Sequence, residues 1–160
     1  MRLVVQRVSR AEVRSGGRVV GKIGRGLLVL IGAERGDDGI SAEEAARKIA
    51  GLRIFEDAQE KMNLSLGDVG GGVLVVSQFT LAADLSRGRR PGFENALPAS
   101  EARPIYEHFA KTLEILGVSV STGAFGEKME VELVNDGPAT FILEFKIQDS
   151  KFKMDSDAQS

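Results

Sequence analysis

The chain has 160 residues, no cysteine and a single histidine. Without cysteine there can be no disulfide and no thiolate zinc site. One histidine alone leaves a zinc hydrolase short of ligands. A Ser-His-Asp site needs a histidine beside its nucleophile. The only candidate is His108, whose neighbour Phe109 falls on the apolar stripe of a predicted helix. That spacing reads His108 as a surface or half-buried helical residue. Long apolar runs are also missing, since none reaches the ~20 residues of a membrane span. Charge interrupts Met1-Arg2-Leu3-Val4-Val5-Gln6-Arg7 too early for a signal peptide. The expectation is a soluble, unexported, cytoplasmic protein without a membrane partner. No phosphate-loop lysine motif and no dinucleotide glycine fingerprint occur, and Gly70-Gly71-Gly72 reads as a turn before a strand. Nothing in the sequence calls for a metal or an organic cofactor.

A chain of this length buries roughly 70% of its unfolded surface, enough for one core and one domain. The net charge of −2 argues against a nonspecific nucleic-acid binder. The charge is unevenly placed, however. Arg2, Arg7, Arg10, Arg14, Arg18, Lys22, Arg25 and Arg35 face only Glu12 and Glu34 within the first 35 residues. Such an excess fits either a local basic surface for a polyanion or a solvated strand face.

Periodicity outlines the elements. Leu3, Val4, Val5 and Val8 mark a first strand, and 11–24 reads as a hairpin turning at Ser15-Gly16-Gly17. Leu27 to Gly32 is a continuous apolar run, short and flanked by glycine, which predicts a buried strand. Ser41 with Glu44 fits a capping box, and Ala42, Ala45, Ala46, Ile49 and Leu52 recur at helical spacing, predicting a helix over 41–53. Ile54-Phe55-Glu56 is a short strand candidate. Val73 to Leu81 predicts a second buried strand with a polar far end. A second helix runs to about Leu116 with Ala102, Ile105, Phe109, Leu113 and Leu116 on one face, Pro104 in its first turn and Gly117 after its end. Two further strands, about 128–135 and 139–147, flank the turn signal Asn135-Asp136-Gly137-Pro138. The expected fold is α+β: mixed, largely antiparallel sheets, layered or barrel-like, with two main helices packed on one side. Residues 1–147 form one domain, and the polar tail 148–160 is expected to be disordered.

Three segments carry candidate chemistry. Ser77-Gln78-Phe79-Thr80 groups three hydrogen-bonding side chains around a phenylalanine where a core strand meets solvent; a plain polar strand end has the same composition. Arg87-Gly88-Arg89-Arg90-Pro91-Gly92 is a flexible cationic loop whose guanidinium forks suit phosphate oxygens, or a solvated loop. Gly137-Pro138 can adopt a cis bond in a tight turn and present carbonyls outward, or be an ordinary hairpin turn.

Together these segments resemble the D-aminoacyl-tRNA deacylase family. The likeness extends to Met1–Ala11, Gly24–Leu30 and Lys61–Leu66, and it covers residues 1 to about 145. Two departures stand out: Ala139 follows the Gly-Pro pair where the family often has valine, and the tail with Lys146, Lys151 and Lys153 lies beyond the likeness. The resemblance implies a homodimer with its active site at the subunit interface. Ser77, Gln78, Phe79 and Thr80 of one subunit would line the pocket. Gly137 and Pro138 of the other, joined by a cis bond, would insert as a chirality filter, with Arg7 near that loop. Arg87, Arg89 and Arg90 would meet the tRNA backbone. The implied reaction is hydrolysis of D-aminoacyl-tRNA, and of glycyl-tRNA, assisted by the ribose 2′-OH. Three alternatives stay open: a non-catalytic RNA-binding homodimer, a structural homodimer, and a hydrolase of another small ester or amide.

Overall fold

The computed structural model describes residues 1–146. The expected tail therefore lies outside the described residues. At the centre is β1 (Arg2–Ser15), a strand of 14 residues rather than a short strand followed by a separate hairpin arm. One edge of β1 pairs along its length with β8 (Glu130–Glu144). The other edge pairs first with β3 (Gly26–Gly32) and then with β2 (Arg18–Ile23), which returns through Gly16-Gly17 as the glycine turn predicts. Beyond β3 lie β6 (Gly72–Ser77) and β7 (Ser119–Thr122), both parallel additions. The sheet curls until its outer strands meet, where Ser121 Oγ donates to the Lys22 carbonyl at 3.1 Å. The result is a nearly closed, barrel-like α+β fold of mixed strand directions, as expected.

Side-chain alternation along β3 explains its unbroken apolar run. Leu27, Val29 and Ile31 face the core shared with α1 (Gly39–Gly51) and α3 (Ala99–Ile115). Leu28 joins Val8, Ala11, Val13, Leu74 and Val76 in a second core inside the curl. A strand buried on both faces has no polar side to show. Burying each such side chain stabilises by roughly 1.5–3 kcal/mol, so β3 and β6 form the rigid frame from which the site is hung. A small ribbon, β4 (Phe55–Glu56) with β5 (Met62–Leu64), and the short α2 (Leu66–Val69) complete the described elements.

Several boundaries differ from the sequence reading. Helix α1 starts two residues early because Asp38, not Ser41, is its cap. The Asp38 carboxylate accepts from the Ile40 and Ser41 amides at 2.9 and 3.1 Å, while Ser41 Oγ accepts from the Asp38 amide at 2.9 Å. Pro104 sits in the second turn of α3, not the first. The lost bond would have gone to the Ser100 carbonyl, which stands exposed at the helix start and can be solvated instead. The apolar strand after Gly72 ends at Ser77, and Phe79–Ala82 winds into a 3-10 turn.

The largest correction concerns Asn135 to Pro138. They do not reverse the chain. Strand β8 continues past them in one direction along β1, with Asn135 opposite Val8 and Thr140 opposite Gln6. Four residues, 136–139, therefore stand against the single residue Arg7. The Asn-Asp-Gly-Pro signal marks an outward bulge in a long strand, a re-aiming device rather than a hairpin.

The N-terminal basic excess is partly neutralised. Arg2 pairs with Glu144, Arg10 and Arg14 with Glu132, and Arg7 with Glu56 and Asp136. Half of the eight basic residues are thus paired, largely across the β1–β8 ladder, while the ion pairs found among the described residues involve none of Arg18, Lys22, Arg25 and Arg35.

Candidate active site

The end of β6 is held by its neighbour β3. The Gln78 amide donates to the Ile31 carbonyl at 2.8 Å, and the following turn closes with Leu81 N to Gln78 O at 3.2 Å and Ala83 N to Thr80 O at 3.1 Å. Gly32 makes this approach possible: a Cβ there would lie 2.7 Å from the Gln78 carbonyl oxygen and 3.0 Å from Leu81 Cβ. The turn starts without a side-chain cap. Its first amides, those of Phe79 and Thr80, have no partner within a helical turn, and no hydrogen bond from either is found among the described residues. Gln78 Nε2 donates to Thr80 Oγ1 at 2.6 Å, fixing the hydroxyl beside those amides.

Ser77, Gln78 and Phe79 line a cleft of about 1090 Å³. Leu97, Ala102, Phe125 and Met129 give it apolar walls, and the β1–β2 turn with Arg14 also lines it. Thr80 is exposed beside the cleft rather than lining it. The Phe125 wall is backed by Tyr106, with ring centroids 5.5 Å apart. The Tyr106 hydroxyl donates to the Val75 carbonyl at 3.2 Å, the same oxygen that receives the Gly123 amide at 3.0 Å. Burial holds the Tyr106 phenol above its ordinary ionisation range. Tyr106 thus links α3, the strand that delivers Ser77, and the cleft wall.

The bulge 136–139 is the second half of the candidate site. The Gly137-Pro138 bond is cis, and both residues are exposed. Arg7, only 2% exposed, lies beneath them. Its Nε donates to the Asp136 carbonyl at 3.0 Å and pairs with the Asp136 carboxylate at 3.1 Å; its Nη1 donates to the Ile54 carbonyl at 2.6 Å, and its Nη2 meets Glu56 at 3.4 Å. Every arm of the fork is therefore committed within this chain, and Arg7 acts on the loop from behind. Asn135 closes the base of the bulge. Its Nδ2 donates to the Arg7 and Ala139 carbonyls at 3.0 and 3.2 Å. A Cβ on Gly137 would lie 2.7 Å from Asn135 Oδ1, so a side chain there must displace the clamping amide. Outside the ladder, the Gly137 and Pro138 carbonyls accept no hydrogen bond among the described residues. Neither residue lines the cleft bounded by Ser77 to Phe79. One chain holds both halves of the expected site without bringing them together.

Arg87, Arg89 and Arg90 are exposed on a loop closed by reciprocal bonds between Asp84 and Gly92, at 2.7 and 2.9 Å. The Asp84 carboxylate accepts from the Ser86 hydroxyl and amide, which lowers its pKa below the usual carboxylate range. Just past the closure, Phe93 packs on Phe79 with centroids 5.2 Å apart. The cationic loop is thereby fastened beside the Ser77–Thr80 motif. His108 stands apart on α3, where its Nε2 meets Glu43 of α1 at 2.9 Å as a helix-to-helix contact. Sequence reasoning gave no role to Asn135, Phe93, Tyr106 or Phe125. Asn135 had a visible signal in its turn motif; the other three depend on contacts between distant segments.

Fold and site define a class of protein: a barrel-like α+β chain with an uncapped Ser-Gln-Phe-Thr strand end and a bulged Gly-Pro loop braced by a buried arginine. The chain belongs to the D-Tyr-tRNA(Tyr) deacylase family, whose model matches residues 4–144. A D-aminoacyl-tRNA deacylase of Symbiobacterium thermophilum is 55% identical over 144 residues, covering 90% of this chain and 95% of that one. One from Thermomicrobium roseum is 57% identical, covering 90% and 94%. Among solved structures, a c-Myc DNA unwinding element binding protein superposes with a TM-score of 0.85 at 39% identity, over 91% of this chain and 99% of that chain. A second, described as a probable eukaryotic D-amino acid tRNA deacylase, has a TM-score of 0.78 at 18% identity, over 90% and 98%, and supports the fold alone.

Proposed function

We propose that the protein hydrolyses D-aminoacyl-tRNA to free D-amino acid and tRNA, a chiral proofreading step in translation, and that it works as a homodimer with a composite site. The observation that carries the reading is the separation of the two halves. Arg7 and Asn135 hold the exposed Gly137-Pro138 bulge, whose carbonyls accept no bond outside the ladder among the described residues, and neither Gly137 nor Pro138 lines the cleft that includes Ser77 of the same chain. A second copy supplies the missing half. The free edge of β8, which among the described residues pairs only with β1, and the exposed Val134 and Ile142 on that strand offer a surface for it.

In this reading, the partner's loop presents two carbonyl oxygens to the substrate ammonium group. The amino group is then fixed, and an L side chain would be directed into the loop while a D side chain points away. Glycine has no side chain to exclude, so glycyl-tRNA is also a substrate. Water attacks the ester carbonyl carbon, helped by the neighbouring ribose 2′-OH. The carbonyl becomes an oxyanion that the Phe79 and Thr80 amides stabilise, each such donor typically contributing ~3 kcal/mol. The bond to the ribose 3′-oxygen breaks, that oxygen takes a proton, and the amino acid leaves as its carboxylate. Thr80 organises through its bond from Gln78, and Phe79 seats the terminal adenine. Arg87, Arg89 and Arg90 meet tRNA phosphates. No metal or organic cofactor enters.

The test is ester loss from D-Tyr-tRNA and L-Tyr-tRNA, with a Thr80→Ala variant alongside. Cleavage of the D ester alone, lost in a folded Thr80→Ala protein, is expected. Equal rates on the two mirror forms overturn the filter, and a trapped acyl-Thr80 adduct overturns the organiser role.

A further inference from the structure

Phe79 and Phe93 are 57% and 39% exposed, and they touch at a tilt of 59°, so they do not cover one another face to face. Two solvent-facing rings are an expensive surface unless something flat covers them. Beside them stand three exposed guanidinium groups. The ion pairs found among the described residues involve none of Arg87, Arg89 and Arg90, whereas Arg2, Arg7, Arg10 and Arg14 are all paired. The loop is also anchored: Asp84 and Gly92 close its base with two backbone bonds, and Phe93 follows directly. Unneutralised positive charge next to open aromatic faces suits a polyanion with exposed flat groups. A single nucleic-acid strand has both; in a duplex the base faces are covered.

We propose that Phe93 extends the Phe79 seat into a stacking platform for the unpaired nucleotides preceding the terminal adenosine, with Arg87, Arg89 and Arg90 on their phosphates. The inference rests on the deacylase reading and adds to it a specificity determinant for single-stranded 3′ ends. Discrimination between tRNA and small aminoacyl esters then comes from Phe93 and the arginine loop, and chirality from the bulge.

Two measurements on the full chain test it. First, kcat/KM is compared for D-tyrosyl-adenosine and for D-tyrosine esterified to a CCA trinucleotide. Phe93→Ala is expected to cut the trinucleotide-to-adenosine ratio roughly ten-fold, through KM, while Phe93→Trp restores it. Second, fluorescence anisotropy reads binding of a labelled single-stranded RNA ending in CCA. Phe93→Ala weakens it by a similar factor, Phe93→Trp does not, and an Arg89→Ala/Arg90→Ala double variant flattens its salt dependence. If the wild-type protein cleaves neither ester, the deacylase reading fails while the anisotropy still decides the platform. An unchanged ratio with unchanged RNA affinity overturns the platform. So does a change in molecular mass by light scattering on Phe93→Ala, which would assign the patch to contact between copies.

Discussion

Arg7 Nε donates to the carbonyl oxygen of Asp136 at 3.0 Å from a side chain that is almost wholly buried. This bond joins the middle of β1 to the only stretch of β8 that leaves the ladder. It converts four unpaired residues into a projection with a defined direction. Removing the side chain would leave the Ile54 carbonyl and the Glu56 and Asp136 carboxylates without their common partner. Both carboxylates are about half exposed and stay hydrated, so the loss falls mainly on the buried Ile54 carbonyl, and Arg7→Ala is expected to destabilise the fold by about 1–3 kcal/mol, read by urea unfolding. Arg7→Lys keeps the charge but not the fork; it should fold and lose discrimination between D and L esters.

Gly32→Ala places a methyl group against the Gln78 carbonyl. Both neighbours, a main-chain oxygen and a Cβ, are fixed to the backbone of Gln78–Leu81, so the Phe79–Ala82 turn must move. The expected outcome is a drop in kcat of about ten-fold or more with a small loss of stability, because positioning errors near 1 Å cost that much or more. A fully active Gly32→Ala protein would show that the turn's placement does not matter.

Tyr106 is the only tyrosine, and there is no tryptophan, so phenolate absorbance reports this one group. Its folded pKa is raised, chiefly by burial. Above the ordinary value near 10, the unfolded chain releases the proton while the fold retains it, so stability falls as pH rises toward the folded pKa. Absorbance titration should show a midpoint above the ordinary value. Tyr106→Phe should remove that alkaline slope, and by removing one of the two bonds to the Val75 carbonyl and loosening the Phe125 wall it should raise KM more than it lowers kcat.

Asp38→Ala removes the cap of α1, two hydrogen bonds onto orphan amides. The loss should be about 1 kcal/mol by thermal or urea unfolding. Ser41→Ala should cost less if Asp38 is the true cap, and an equal or larger cost would restore Ser41 to that role.

Much of this architecture is legible locally. The apolar run from Leu27 announces a strand buried on both faces, and Ser77 to Thr80 stands out because polar groups end an otherwise apolar strand. Failures occur where the deciding contact is distant. Asn135-Asp136-Gly137-Pro138 has every local mark of a reversal, yet pairing of both flanks with β1, more than 120 residues earlier, keeps the chain running forward. One miss is local: Ser41 with Glu44 fits a capping box, but Asp38 takes the cap because its carboxylate reaches two amides. Phe93 and Tyr106 are ordinary letters in a loop and a helix until the fold sets one against Phe79 and the other against Phe125.

Mixing two disabled chains tests the composite site most directly. One carries Thr80→Ala, and the other carries Gly137→Val, which collides with Asn135. Each alone is inactive. If the halves come from different copies, a randomly mixed dimer regains one intact site in half of its molecules, and D-Tyr-tRNA deacylation returns to about a quarter of the wild-type rate. A mixture that forms dimers yet stays as inactive as its parents would contradict the account.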